Sequence, residues 1–253
     1  MTPIQRDTKR KQQAQQQAKT APAAAVLPLD RTMRYKLGSD RARLKKIASM
    51  QRKAEVKAEI IPDYLPYVDG QMAAGMGDEI LTQVMIWAYD ANQIASFTTL
   101  ARYALNNGIA LPTEFARSLG AWLVESTSKL MLSVLAGDTV MPAADSTVLA
   151  DLTLWLETET GAMDMHDEIR AKLYRACGEL LFTTAPSLAL EHFETALKLD
   201  SHIRVKKRIK ALNESRSPQG QAADSSNSVA PPQNPSALLP AVSPASTATD
   251  GAS

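Results

Sequence analysis

The side chains able to ligate a metal or move a proton are few. The histidines are His166, His192 and His202, and Cys177 is the lone cysteine. Two histidines four residues apart would meet one ion on one helical face, and no pair here has that spacing. One cysteine cannot build a thiolate-rich structural zinc site, so ligand spacing gives no metal site. His166-Asp167 has the form of a paired ligand in some phosphohydrolases, but no companion His-Asp follows. A polar helix start explains it more simply. GQMAAGMGDE has glycines without the Lys of a phosphate-binding loop, so ATP hydrolysis by this chain is not expected. There is no Gly-x-Ser-x-Gly, and one cysteine with scattered histidines defines no nucleophilic site.

A metal-dependent nuclease needs clustered carboxylates holding magnesium, so that the ion activates water and stabilises the leaving oxygen. Pro62-Asp63 could begin such an arrangement. The nearby Glu-x-Lys, Glu55-Val56-Lys57, precedes it on a helix, which is the wrong order. Asp164, Asp167 and Glu168 cluster, but helix starts collect acids to satisfy the dipole. No catalytic residue is assigned. No cofactor is expected, and Mg²⁺ enters only if the chain is itself a nuclease.

Charge is more informative. The net charge of +1 hides a division: residues 1–60 carry +10, residues 61–200 carry −12 and residues 201–253 carry +3. Basic ends around an acidic body meet nucleic acid or an acidic partner, or pair with the body itself. Phosphate contacts need Lys and Arg on a rigid support. Arg41, Arg43, Lys45, Lys46, Arg52, Lys53 and Lys57 supply one set. Arg204, Lys206, Lys207, Arg208 and Lys210 supply a shorter one, which fits a solvated domain edge equally well. Whether the first set reads bases or only tracks phosphates stays open.

These residues need helices to carry them. Ala and Leu are abundant and period-two alternation never lasts, so an all-α fold of stacked antiparallel helix pairs is predicted. Residues 1–38 read as a basic, mostly disordered arm and 214–253 as a disordered tail, since neither has the apolar surface to offset ordering entropy. Ser39 is expected to cap a basic helix over 39–61, for DNA binding or oligomerisation. Its seam is Leu44, Ile47, Gln51, Ala54, Ala58 and Ile61. Pro62 and Pro66 stop it.

The helical body spans 62–213. Asp78 caps a helix bearing Ile80, Leu81, Val84, Met85 and Ala88. Asn92 starts its partner, with Ile94, Phe97, Leu100, Ala101 and Ala104 inward, and Gly108 ends that hairpin. Thr113 caps the next helix, Gly120 weakens it, and it ends before Gly137. Asp145 or Ser146 opens another. A helix from about Asp167 to Phe182 follows, and Pro186 suits the first turn of its successor. HDEIRAKLYRACGELLF with SLALEHFETALKLD is partly tetratricopeptide-like, with Phe193 and Ala196 inward. The 34-residue period of an array is missing. With one cysteine and no apolar run near the length of a bilayer span, a soluble, reducing location is expected.

Several blocks together resemble a known family. IIPDYLPYVDG, DEILTQVMIWAYDANQIASFTTLARYALNNGIALPTEF, DEIRAKLYRACGELLF and ALEHFETALKLDSHIRVKKRIKAL are similar to the small terminase subunits of temperate, contractile-tailed bacteriophages. The likeness runs from about Asp40 to Asn213. It implies binding of double-stranded viral DNA at a packaging site and recruitment of the ATPase large subunit for packaging into the procapsid. It also implies a homo-oligomer, usually a ring, acting in the host cytoplasm away from membranes. The family is commonly described as the terminase endonuclease subunit. That leaves a metal-dependent endonuclease as the alternative to a non-catalytic DNA-recognition subunit, and a helical peptide-binding scaffold as a third reading.

Overall fold

The computed structural model describes residues 28–216, and the arm and tail expected to be disordered lie largely outside that range. The described residues form ten α-helices and no strand. The all-α expectation therefore holds. Described residues 28–212 belong to one compact unit.

The N-terminal region differs most from expectation. Residues 28–38, assigned to the arm, are helical, and the predicted single helix over 39–61 is two helices. Helix α1 spans Pro28–Lys45 and α2 spans Met50–Ile60. Proline is tolerated at the first helical position, where its missing N–H would be unpaired anyway. Asp30 lies in the same first turn, where the dipole favours an acid. Ser39 is an exposed interior residue of α1, and the cap belongs to Ser49, whose hydroxyl accepts from the Arg52 N–H at 3.2 Å. Four residues, 46–49, separate the helices.

The break changes the seam. Met33, Leu37, Leu44, Val56, Ile60 and Ile61 are buried, whereas Gln51 is exposed and Ala54 and Ala58 are half-buried. Helix α2 ends at Ile60, before Pro62, as expected. A 3-10 turn covers Ile61–Asp63, and Pro66 sits in the first turn of α3, Leu65–Ala73.

Helices α4 (Glu79–Asp90) and α5 (Ile94–Asn106) form the expected hairpin. Asp78 accepts the Ile80 N–H at 2.9 Å, as a capping carboxylate should. Asn92 takes the left-handed turn position, φ 58°, rather than opening α5. Gly108, φ 63°, ends α5, and the Ile109 N–H reaches back to the Ala104 carbonyl at 2.9 Å. Thr113 is not a cap: helix α6, Leu119–Leu135, starts at Ser118, whose hydroxyl accepts from Ala121. Helix α7, Ala143–Glu159, begins before Asp145, behind Pro142. Helix α8, Asp167–Leu181, and α9, Pro186–Leu199, follow as expected, and α10 spans Lys206–Arg216.

One continuous core joins α1 through α8. It holds Tyr64 edge-on to Trp87 at 5.6 Å, together with Ile80, Leu81, Phe97, Leu123, Leu152 and Leu156. A second cluster holds α8, α9 and the segment leading into α10, around Phe193, Ala196, Val205 and Leu212. Phe193 packs on Gly178, where an added Cβ would meet the ring at 2.6–3.0 Å. Both inward assignments in this hairpin, Phe193 and Ala196, are fully buried. No described helix is long and apolar enough to cross a membrane.

Candidate nucleic-acid interface

Helix α1 has two faces. Met33, Leu37, Asp40 and Leu44 are buried against the body. Arg31, Tyr35, Gly38, Ala42 and Lys45 recur at steps of four and three and are exposed. Tyr35 is 83% exposed, a large aromatic side chain left in solvent.

Three polar pins hold the inner face. Arg34 contacts Asp30 at 3.1 Å and Asp78 at 2.8 Å, while the Tyr67 hydroxyl donates to Asp30 at 2.6 Å. The hydrogen bond from Tyr67 comes first in holding the Asp30 carboxyl below its usual range, with Arg34 adding to it against burial. Lys36 lies 2.8 Å from Asp40 and 3.1 Å from Asp63, and the Tyr64 hydroxyl donates to Asp40 at 2.7 Å. Burial pulls the Lys36 ammonium down, but the bonds to Asp40 and Asp63 win and raise it. Burial pushes the Tyr64 phenol well above its ordinary value, and the bond to Asp40 adds to the rise. Arg41 reaches Glu79 at 2.6 Å, Gln83 at 2.9 Å and Glu114 at 3.3 Å.

The pins sort the basic residues. Arg41 points into the body, and Lys57 pairs with Asp90. Arg43 and Arg52 share Glu59, and Arg52 also holds Glu55. Lys45, Lys46 and Lys53 make no ion pair among the described residues. They bracket the break between α1 and α2. On the second patch, Arg208 pairs with Glu179 at 2.8 Å and lies 4.6 Å from the Phe182 ring centroid. Arg204, Lys206 and Lys207 are exposed without an ion pair among the described residues, and Lys210 is exposed on the same helix.

The helix ends differ in electrostatics. Arg43 and Lys45 in the last turn of α1 complement its negative end. The first turn of α2 carries no acid, and Arg52 and Lys53 stand there instead. Its positive dipole end and the neighbouring lysines together favour a phosphate. The reading from sequence placed Arg31 and Tyr35 in the arm, and so missed them. Pro28 followed by Asp30 and the Met33, Leu37, Leu44 stripe was the signal that could have found them.

The acids singled out for nuclease chemistry fall into two groups. Asp63 is paired with Asp40 across the Lys36 ammonium, which stands where two carboxylates would otherwise face each other. Asp164, Asp167 and Glu168 are exposed at the start of α8.

The profile of the phage small terminase subunit family matches residues 34–168. A curated relative, the "Terminase, endonuclease subunit" of Escherichia phage P2, is 36% identical over 190 residues, which cover 74% of this chain and 74% of the relative. No solved structure matches. The family match begins inside α1, at Arg34, and reaches the start of α8, so it includes Arg34, Lys36 and Arg41. With more than half of its length inside that profile, the chain belongs to the phage small terminase subunit family.

Proposed function

We propose that this chain is the DNA-recognition subunit of a packaging terminase, and that the α1–α2 break is its phosphate-binding element. It binds double-stranded viral DNA at the packaging site in the host cytoplasm. It recruits the ATPase large subunit, and it works as a homo-oligomer. The observation that carries this is the α2 N-terminus, which has no acid in its first turn and is flanked by Lys45, Lys46 and Lys53, none of them in an ion pair among the described residues. Positive charge at a positive dipole end is unfavourable unless an anion completes it. Arg31 and Tyr35 extend the exposed face along α1. Arg34, Lys36 and Arg41 supply the rigid support by fastening the opposite face.

The test is fluorescence anisotropy on viral-end DNA across a salt series, with the wild type and a Lys45→Ala, Lys46→Ala, Lys53→Ala variant. Each phosphate contact contributes about −0.9 to the slope of log affinity against log salt. Loss of three contacts therefore flattens the slope by about 3 and weakens binding at low salt. An unchanged slope in the triple variant would remove the break from the interface.

A second reading is favoured by the name of the phage P2 relative: this chain itself cuts DNA with a divalent metal. The same samples, run on a denaturing gel with and without Mg²⁺, separate the two. Cleavage by the purified chain that needs Mg²⁺ and is lost on changing one acid supports cutting by this subunit. Intact DNA under binding conditions supports recognition alone.

A further inference from the structure

Helices α7, α8 and α9 bring Glu157, Cys177 and His192 to one place, one ligand-type side chain from each. Spacing along the sequence could not show this, because no two of them share a helix. Their donor atoms all lie within 4.8 Å of one another. Cys177 and His192 are buried at 0% and 5% exposure.

The imidazole fixes its own tautomer. His192 Nδ1 is 2.8 Å from the Leu188 carbonyl, which can only accept, so Nδ1 carries a hydrogen. In the neutral ring Nε2 is then a bare lone pair, and the Glu157 carboxylate lies 3.1 Å from it. The two are within ion-pair reach, yet off the line that a hydrogen bond needs, so Nε2 is a buried polar atom without a hydrogen-bond partner. Two acceptors at that separation need a cation between them, either a proton on Nε2 or a metal ion. An Nδ1–H held by a backbone carbonyl is also how metal-ligating histidines are commonly oriented.

We propose that Glu157, Cys177 and His192 bind one divalent transition-metal ion, with Zn²⁺ as the best match. Carboxylate, thiolate and imidazole together suit that borderline-soft ion. With Zn–S about 2.3 Å and Zn–N about 2.0 Å, donors in a tetrahedral site stand about 3.5 Å apart. The Nε2 to carboxylate distance of 3.1 Å is already near this, so modest rotation of the Cys177 side chain closes the set. The Cys177 Sγ now lies 3.9 Å from the Thr153 carbonyl, a weak contact to give up. The Glu157 side chain is 29% exposed, and on that side water takes the fourth position. The ion would fasten α7, α8 and α9 to one another.

The experiment loads metal-stripped full-length protein with Co²⁺, then displaces it with Zn²⁺. Co²⁺ bound to a thiolate gives a charge-transfer band, and the chain has a single cysteine, so the band can come only from Cys177. The expected result is a band saturating at one Co²⁺ per chain, removed by one equivalent of Zn²⁺. Cys177→Ser and His192→Gln should each weaken Zn²⁺ binding by about 100-fold or more, since even second-shell partners cost 10–100-fold. Wild type that gives no thiolate band and takes up no Zn²⁺ while folded would overturn the site. So would folded C177S and H192Q proteins that keep wild-type affinity. The wild-type band decides the matter even if both variants fail to fold.

Discussion

The two ends of the described chain attach to the body in different ways. Helix α1 buries Met33, Leu37 and Leu44, and much of its remaining hold comes from Arg34, Lys36 and Arg41. Helix α9 buries Ala189, Leu190, Phe193 and Ala196 against α8, with Gly178 admitting the Phe193 ring. Apolar packing is insensitive to added salt at moderate concentration, whereas part-exposed ion pairs are screened. An N-terminal helix held by charge can answer to an approaching polyanion. A C-terminal hairpin held by close packing provides a fixed frame.

Phe193→Ala tests the packed end. It should cost about 3–5 kcal/mol, the usual range for a buried aromatic, and urea unfolding should give the same loss at low and high salt. Next comes Tyr64→Phe at the pinned end. It removes a buried hydrogen bond to a carboxylate and should cost about 1.5–3 kcal/mol near neutral pH. The folded value of Tyr64 is raised above the ordinary phenol, so its contribution is whole below about pH 10 and is lost as pH climbs beyond that. The gap in stability between wild type and Y64F should therefore shrink in alkaline melts.

Arg41→Ala should cost about 1 kcal/mol, discounted because its partners Glu79 and Glu114 are partly in solvent. That loss should fall as salt rises, unlike the loss at Phe193. If Arg41→Ala proves salt-independent, the contrast between the two ends fails. Arg208→Ala should lose no more than about 0.5–1 kcal/mol, read as a small shift of the urea midpoint. The arginine is half-exposed and α10 is retained by Val205 and Leu212.

Much of the helical body was legible because its signals are local. Asp78 before an apolar run, Gly108 after one, and Pro186 opening one each act within a few residues. The α1–α2 region was not. Two serines, Ser39 and Ser49, could each cap a helix, and only the burial of Leu37 and Leu44 beside Val56 and Ile60 separates the choices. Thr113 lost to Ser118 in the same way. Nor does sequence tell which cations are engaged. Arg41 and Lys45 read alike along the chain, but Glu79 and Gln83, 38 and 42 residues from Arg41, turn the arginine inward. The Glu157, Cys177, His192 grouping is legible only in three dimensions, because each member comes from a different helix.

The contact of Gly178 with Phe193 has a genetic consequence. Any side chain at 178 would begin with a carbon 2.6 Å from the aromatic ring, so even alanine forces the ring or the helices to shift. A library randomised at 178 alone should return glycine under selection for the folded hairpin. Randomised together with 193, it should also return pairs in which a small side chain at 178 travels with a shorter one at 193. The two positions form a single heritable unit, and a larger side chain at 178 would be tolerated only together with a shorter one at 193.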